Sequence, residues 1–550
     1  MKQNSRYYKL CLFCFLMILF CSVTAFGATI HVPGEYQKIQ PAIDASSNGD
    51  IILVADGTYK GSGNKDLDFK GKAITLQSEN GPGKCIIDGE KDGRGFYFHS
   101  GEGQGSVVTG FTITNCYAYN YYYGGKGGGI FCDNSSSPTI NNCIINFNKA
   151  DADGGGIYCN NSSSPSITNC AISYNEAGLG GGITCDNSSS PSIINCTINN
   201  NRGHGIFCNE FSSLIIADCT IVNNSGHGII CTRNRSSPLL IRNCTISNNS
   251  GFGVYSEGYY SPSISKCTIS KNNMGGISIT GAYTGIITNC LIIVNTSSGI
   301  YSLGSTLIIT NCTIAKNTNG GLYCDGTSIW PTIINSIVWE NSPKEILIGQ
   351  PTIVYSDIQG GSPGIGNIDA NPLFVSTDDY HLTGTSPCID GGSSKTETEV
   401  PNADIEGNPR PQGSDYDMGA YEYSGLVIPD PQPPIAESGP DKIIVLDRVT
   451  LDGSQSYDLD SQIISYQWRL QHRENSAYNR TAEGEKPTIF NLEPGFYDVF
   501  LTVIDDSGRN HTDSMLLAVG GQWDMNGDNK FGLEEIIYGL QILTGIRPQN

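Results

Sequence analysis

Charge is scarce in this chain and falls mostly on one side. Only 15% of the 550 residues are charged, and 32 Lys and Arg face 53 Asp and Glu, for a formal net charge of −21. A nucleic-acid partner is excluded on that balance, because phosphate binding needs clustered Lys and Arg. Long apolar runs are missing after residue 25, so nothing there reads as a membrane-spanning helix. Beyond that point there is also no CxxC pair of the zinc type. What abounds is Gly, at 67 residues, with many Ser and Asn, a composition of turns and strands rather than helices. The length exceeds one ordinary domain and can bury a large core.

The first residues have the order of an export signal. Lys2, Arg6 and Lys9 precede the apolar run Leu10 to Phe20, and Ser22-Val23-Thr24-Ala25 supplies small residues. Residues 1–25 are therefore expected to be removed, with cleavage after Ala25 or Gly27, leaving a secreted or cell-surface protein. Phe20 before Cys21 is too bulky for a lipoprotein signal. Of the 20 cysteines, Cys11, Cys14 and Cys21 leave with the signal. The rest are odd in number and set at repeat spacing, which suits a packed ladder better than a disulfide framework.

That spacing is the strongest pattern in the chain. One register runs Cys116, Cys143, Cys170, Cys196, Cys219, Cys244, Cys267, Cys290 and Cys312, at steps of 22 to 27 residues. A second runs Cys132, Cys159, Cys185, Cys208 and Cys231 and returns at Cys324, with Ser256, Ile279 and Ser302 in the intervening places. Each unit holds three short alternating segments, Gly-Ile-x-Cys, Pro-x-Ile-x-Asn and Cys-x-Ile-x-x-Asn, separated by Gly, Asn and Ser-Ser-Ser-Pro. This predicts three strands per coil of a parallel solenoid, each paired with its equivalent one coil away at ~4.8 Å. The cysteines become interior columns. Asn142, Asn169, Asn195, Asn243, Asn289 and Asn311 are expected to stack at a turn, bonding from coil to coil.

The opening carries a resemblance. Thr29-Ile-His-Val-Pro-Gly-Glu-Tyr-Gln-Lys-Ile-Gln-Pro-Ala-Ile-Asp, then Gly49-Asp50-Ile-Ile-Leu-Val and Asp56-Gly57-Thr58-Tyr59, resembles pectin-lyase-like right-handed β-helix proteins. The resemblance covers about residues 28–366 and implies a short helix near Ile39 to Ala45 plugging the first coil. Residues 367–423, with Asp404-Ile-Glu-Gly-Asn-Pro-Arg-Pro and Asp417-Met-Gly-Ala-Tyr-Glu, resemble a choice-of-anchor region and read as the C-terminal cap. Residues 424–434 form a Pro-rich linker. Residues 435–519 resemble a PKD-type β-sandwich, with Trp468 as its buried anchor. The fold expected is all-β, a right-handed parallel β-helix followed by a small β-sandwich and a calcium-loop/helix tail at 520–550.

The tail has the spacing of an EF-hand loop. Calcium takes oxygens from positions 1, 3, 5, 7, 9 and 12, which fall on Asp524, Asn526, Asp528, Lys530 (through its carbonyl), Gly532 (through water) and Glu535. It resembles a dockerin repeat. Dockerins generally carry two such loops and only one is present, a departure that bears on a cohesin-type partner but not on calcium.

Three groups in the solenoid are candidates for chemistry. Gly203-His204-Gly205 and Gly226-His227-Gly228 match the three-residue segment of polygalacturonase-type hydrolases, with Asp218, Arg233 and Arg235 nearby. The grouped aspartates of those enzymes are absent, and the glycines sit at a repeat position, which reads as a stacked turn pair. The longer turns of the first full coils carry Tyr117, Tyr119, Tyr121, Tyr122 and Tyr123, then Asp151 and Asp153, then Glu176. Stacked on one edge, they would form an aromatic and acidic rim able to meet sugar rings. Asp133 and Asp186, with Asn160 between, would lie ~9.6 Å apart on one face. These patterns fit a protein that binds extracellular or envelope polysaccharide, a calcium-dependent lyase or glycoside hydrolase of acidic glycans, or a structural adhesin. The missing acid clusters favour binding.

Overall fold

The computed structural model describes residues 27–520, save 120–123, 235–238, 259–261, 282–283, 326–329, 397–399, 426–433, 445–446, 459–461 and 507. The chain divides into two units, up to Gly425 and from Leu426 onward.

In the first unit the alternating segments form three parallel sheets. The first has 14 strands, from Thr29–Val32 to Thr352–Val354. The second has 13, from Gly57–Lys60 to Asp357–Ile358. The third has 12 and includes Phe96–Phe98 and Leu322–Asp325. Each full coil contributes one strand to each sheet, the first coils having none in the third, where Tyr117–Ala118 and Lys149–Ala150 pair beside the main path, and like stacks on like. In the first sheet Ile140, Ile167, Ile193 and Ile216 share a register; in the second Ile145, Ile172, Ile198 and Ile221; in the third Ile130, Ile157, Ile183 and Ile206. All are buried, and each such side chain contributes roughly 1.5–3 kcal/mol by leaving water. The helix Ile39–Ala45 buries Ile39, Ala42 and Ile43 in this core at the first coil, as the resemblance implies.

The second cysteine register runs down the third sheet as read, with Ser256, Ile279 and Ser302 in its gaps. From Cys143 to Cys312 the first register lies at the bend between the first and second sheets. Cys116 does not belong to it, because it follows the second-sheet strand Thr112–Thr114 at the place of Asn148 in the next coil, and Phe111 stands where Cys143 does. All seventeen cysteines from Cys85 to Cys388 are buried and free. Burial pushes the thiols of Cys85 and Cys324 up to about 12.

Asparagine is used twice. At the bend before the second sheet, Asn142, Asn169, Asn195, Asn243, Asn289 and Asn311 adopt left-handed φ of 49° to 55°, a conformation Asn accepts more readily than most residues. Some of their amides bond between coils, as Asn195 Nδ2 to Asn169 Oδ1 at 2.6 Å. The buried ladder is a different column, the last residue of the Cys-x-Ile-x-x-Asn segment: Asn148, Asn175, Asn201, Asn224, Asn249, Asn272, Asn295, Asn317 and Asn341. Oδ1 of each accepts both the backbone N–H and the Nδ2 of the preceding one, at 2.9 to 3.1 Å. Nδ2 also donates to the carbonyl of an isoleucine one coil earlier, as Asn224 to Ile198 at 3.1 Å. The column begins under the Cys116 N–H and ends on the carboxylate of Glu345, which accepts from Asn341 N and Nδ2. A glycine faces each rung. A Cβ on Gly156 would lie 2.6 Å from the Gly182 carbonyl and 3.1 Å from Asn175 Nδ2, which is why that place in Gly-Gly-Gly-Ile admits no side chain.

Residues 367–423 pack on the outer face of the second sheet. Tyr380 joins Leu291, Ile293 and Ala315, while Leu382, Cys388 and Met418 join Ile337 and Trp339. The left-handed asparagines hold it there: Asn289 donates to Ala403 O, Asn311 to Asp417 O and Asn335 to Ser393 O. This segment is therefore a lateral buttress over the last coils. Inside it, Arg410 is fully buried against Glu422 at 2.7 Å and donates to the carbonyls of Asp417 and Gly419.

The second unit is a five-stranded sheet in the order Lys442–Ile444, Asn510–Val519, Gly495–Asp505, Ile463–His472 and Arg480–Glu483, with a two-stranded sheet of Val449–Thr450 and Thr488–Ile489. Trp468 is buried among Leu470, Val499 and Leu501, and its Nε1 donates to Gly484 O at 3.0 Å. It serves as the core anchor of this unit.

Candidate functional site

The third sheet turns its inner face to the core through the Ile and Cys of Gly-Ile-x-Cys, so the residue between them must point outward. Down that register the outward residues are Tyr97, Phe131, Tyr158, Thr184, Phe207, Ile230, Tyr255, Ser278, Tyr301 and Tyr323. A sheet facing water alternates apolar-in with polar-out; this one presents a column of rings. Tyr97 stacks on Phe131 with centroids 5.2 Å apart, and Tyr301 on Tyr323 at 4.9 Å.

The column changes character along its length. Over the early coils the long turns fold across it and bury Phe131 and Tyr158. Gly127 and Gly154 allow that approach, since a Cβ on either would lie 2.6 Å from the Cβ of Phe131 or Tyr158. Cations sit over these rings, the Arg94 guanidinium 5.3 Å from Phe131 and the Lys126 ammonium 4.9 Å from Tyr158. In the later coils, where the turns are shorter, Tyr255, Tyr301 and Tyr323 are only half-buried.

His204 and His227 lie beside this column, in the run leading into the third sheet. Their rings stack at 5.0 Å, and His227 stacks on Tyr255 at 5.2 Å. The His227 N–H donates to His204 Nδ1, and the Phe252 N–H to His227 Nδ1, both at 2.8 Å. Burial, with a smaller contribution from His227, pushes His204 down to about 4, and burial lowers His227 as well. Both are neutral imidazoles with Nδ1 committed to the backbone. Asp218 lies elsewhere, at the bend between the first and second sheets, where its Oδ1 accepts from Asn243 at 2.6 Å. The structure thus joins the two histidines and keeps Asp218 apart. Arg235 lies outside the described residues, and Arg233 is described only as part of the strand Ile229–Asn234.

The rim comes together in part. Tyr117, Lys149, Glu176 and Arg202 are neighbours in one register. Glu176 pairs with Lys149 at 2.9 Å and Arg202 at 3.4 Å, and the Lys149 bond chiefly lowers its pKa. Tyr117 donates to Asp151 at 2.5 Å and touches the ring of Tyr119, whose hydroxyl donates to Lys91 O. Asp153 accepts from the Leu179 N–H, and burial raises its pKa. Tyr121, Tyr122 and Tyr123 lie outside the described residues, as does the whole segment Asp524, Asn526, Asp528, Lys530, Gly532 and Glu535. Asp133 accepts amide hydrogens from Asn160 and Asn161, and Asp186 accepts from the Tyr158 hydroxyl and Asn209, so both are turn and wall residues. Among the described residues no group of three or more His, Cys, Asp or Glu is arranged to hold a metal ion.

A parallel solenoid of this register belongs to a recognised class. The right-handed β-helix region family matches residues 51–239 and 230–358, and the chain belongs to it. A PKD domain family matches residues 438–519. The mouse dyslexia-associated protein KIAA0319-like protein is 26% identical over 212 residues, 34% of this chain and 20% of its own length. The human dyslexia-associated protein KIAA0319 is 34% identical over 90 residues, 16% of this chain and 8% of its own. The chain spans a fifth or less of these relatives. Among solved structures, the A-module of Azotobacter vinelandii mannuronan C-5 epimerase AlgE4 overlaps 60% of this chain and 95% of its own, at 14% identity and a TM-score of 0.39. Tailspike protein 3 of bacteriophage CBA120 overlaps 62% of each chain, at 13% identity and a TM-score of 0.35. So loose an overlap transfers nothing of their chemistry to this chain.

Proposed function

We propose that this is a secreted or cell-surface protein whose solenoid holds an extracellular or envelope polysaccharide along its third sheet without cutting it. The outward aromatic column carries the reading. Aromatic faces match the C–H faces of sugar rings, and tyrosine hydroxyls add hydrogen bonds; Tyr255, Tyr301 and Tyr323 leave such faces partly open to solvent. Binding is favoured over cleavage because the histidines are neutral and engaged with the backbone, while Asp218 sits at another corner. The PKD-type unit fits a spacer, and the dockerin-like loop at 524–535 a calcium site by its donor spacing.

Retention of the full chain in gels containing acidic and neutral polysaccharides, with and without calcium, tests this directly. One polymer should retard the protein, and Tyr301→Ala with Tyr323→Ala should abolish that retardation while the fold is kept. New reducing or unsaturated ends during incubation would make the protein a hydrolase or lyase instead.

A further inference from the structure

At the corner between the second and third sheets, one residue per coil adopts left-handed φ just before the buried asparagine. In most coils it is polar or charged, Asn200, Asn223, Asn248, Lys271, Lys316 and Glu340, and in one it is Val294, which packs against the Tyr380 cluster. In two adjacent coils it is Phe147 (φ 52°) and Tyr174 (φ 55°). Left-handed φ is a strained state for bulky side chains, and these two are 57% and 53% exposed, so burial does not compensate them. Their rings are stacked, 5.1 Å apart and within 9° of parallel, and form one wall of a groove of about 520 Å³. Lys91, Tyr117, Lys149 and Glu176 complete it. That volume lies within the usual range for small-molecule sites.

We propose that this groove is a separate subsite for an uncharged pyranose, stacked by its C–H face on Phe147 and Tyr174. The proposal rests on the polysaccharide reading above but uses a different corner of the coil. The polar edge is the Lys149–Glu176 pair, which offers a donor and an acceptor to ring hydroxyls. Glu176 already engages two cations, Lys149 at 2.9 Å and Arg202 at 3.4 Å. A uronate carboxylate would have to compete with Glu176 for them, whereas hydroxyls share the pair. Lys91, which also lines the groove, is exposed to solvent, so its field is screened.

The test is titration of the full chain, by saturation-transfer NMR, with neutral gluco- and galacto-configured trisaccharides and with a uronic-acid trisaccharide. At least one neutral sugar should bind, and the uronate no more tightly. The double variant Phe147→Asn and Tyr174→Asn, which installs the residue other coils carry, should lower that affinity at least tenfold. Its thermal midpoint should hold or rise, because Asn suits the left-handed turn. Unchanged affinity in the Asn variant, tighter binding of the uronate, or a marked drop in thermal midpoint would overturn the proposal. If long polymers are retained through the third sheet while no trisaccharide binds, the subsite falls and the broader reading stands. If neither is retained, both fall.

Discussion

At the scale of single residues, the two small polar or thiol columns are unequal in energy. Asn224 donates to Ile198 O and Asn249 Oδ1 and accepts from the N–H and Nδ2 of Asn201, all out of water. Asn224→Ala would strip the partners from several buried groups at once, for an expected loss of about 3 kcal/mol or more. Cys208→Ser should cost only about 1 kcal/mol, because Ser already occupies that column at Ser302, where the hydroxyl reaches the Ser305 carbonyl. Denaturant unfolding of both variants measures the difference; equal losses would show the asparagines to be interchangeable fillers. The cysteine columns were legible in the sequence, save for Cys116, because cysteine is rare enough for its spacing to stand out; Cys116 sits at the place of Asn148 in the next coil, which only the register shows. The asparagine ladder was not, although its residue closes the repeat pattern. Asparagine fills several turn places in every coil, and only the register of the folded coils tells the left-handed column from the buried one.

Among the elements, the third sheet and the run leading into it are sensitive to acid. His204 and His227 are held neutral in the folded state, with His204 near 4, while an unfolded imidazole protonates near 6.5. Between those values the unfolded chain binds more protons than the folded one. Stability contributed there is therefore present above about pH 6.5 and lost as pH falls toward 4. The thermal midpoint should drop across that window, and His204→Gln with His227→Gln, which keeps an acceptor for each backbone N–H, should flatten the drop. An unchanged slope would assign the acid loss to other groups. The three-sheet coil could be read from period-two patterning alone. The aromatic column could not, because it occupies the unspecified place in Gly-Ile-x-Cys and becomes a surface only when coils stack. Phe147 and Tyr174 escaped for the same reason, two rings in a position that is elsewhere Asn, Lys, Val or Glu.

For the molecule as a whole, the coils repeat one contact scheme, so stability is approximately a sum over neighbours. The tail follows other chemistry. Asp524, Asp528, Glu534 and Glu535 crowd negative charge into one short segment, and calcium should relieve it. Calorimetric titration of the full chain should show binding at ~10⁻⁴ to 10⁻³ M, the range of extracellular modules. Glu535→Gln should weaken it strongly, since an amide replaces the bidentate carboxylate, whereas Lys530→Ala should matter little, since only a backbone carbonyl is used there. No calcium-dependent heat at millimolar ion would make the spacing a coincidence.

The amide column also has an electrical direction. Every Asn-to-Asn bond runs from Nδ2 to the Oδ1 of the next coil, with the other amide hydrogen going back to an isoleucine carbonyl, so each Oδ1 faces the N-terminal coils and the amide dipoles align with their positive ends toward Glu345. A carboxylate at that end is a counter-charge to the whole row, much as an acid caps the N-terminus of a helix. It is also a terminator, because an ionised carboxylate accepts hydrogen bonds and has none to pass on. Between the Cys116 N–H and Glu345, each rung sees the same neighbours whatever their number. Whole coils can be inserted or removed there without redesigning either end, so the length of the outer aromatic column is set by a count and not by a change of sequence.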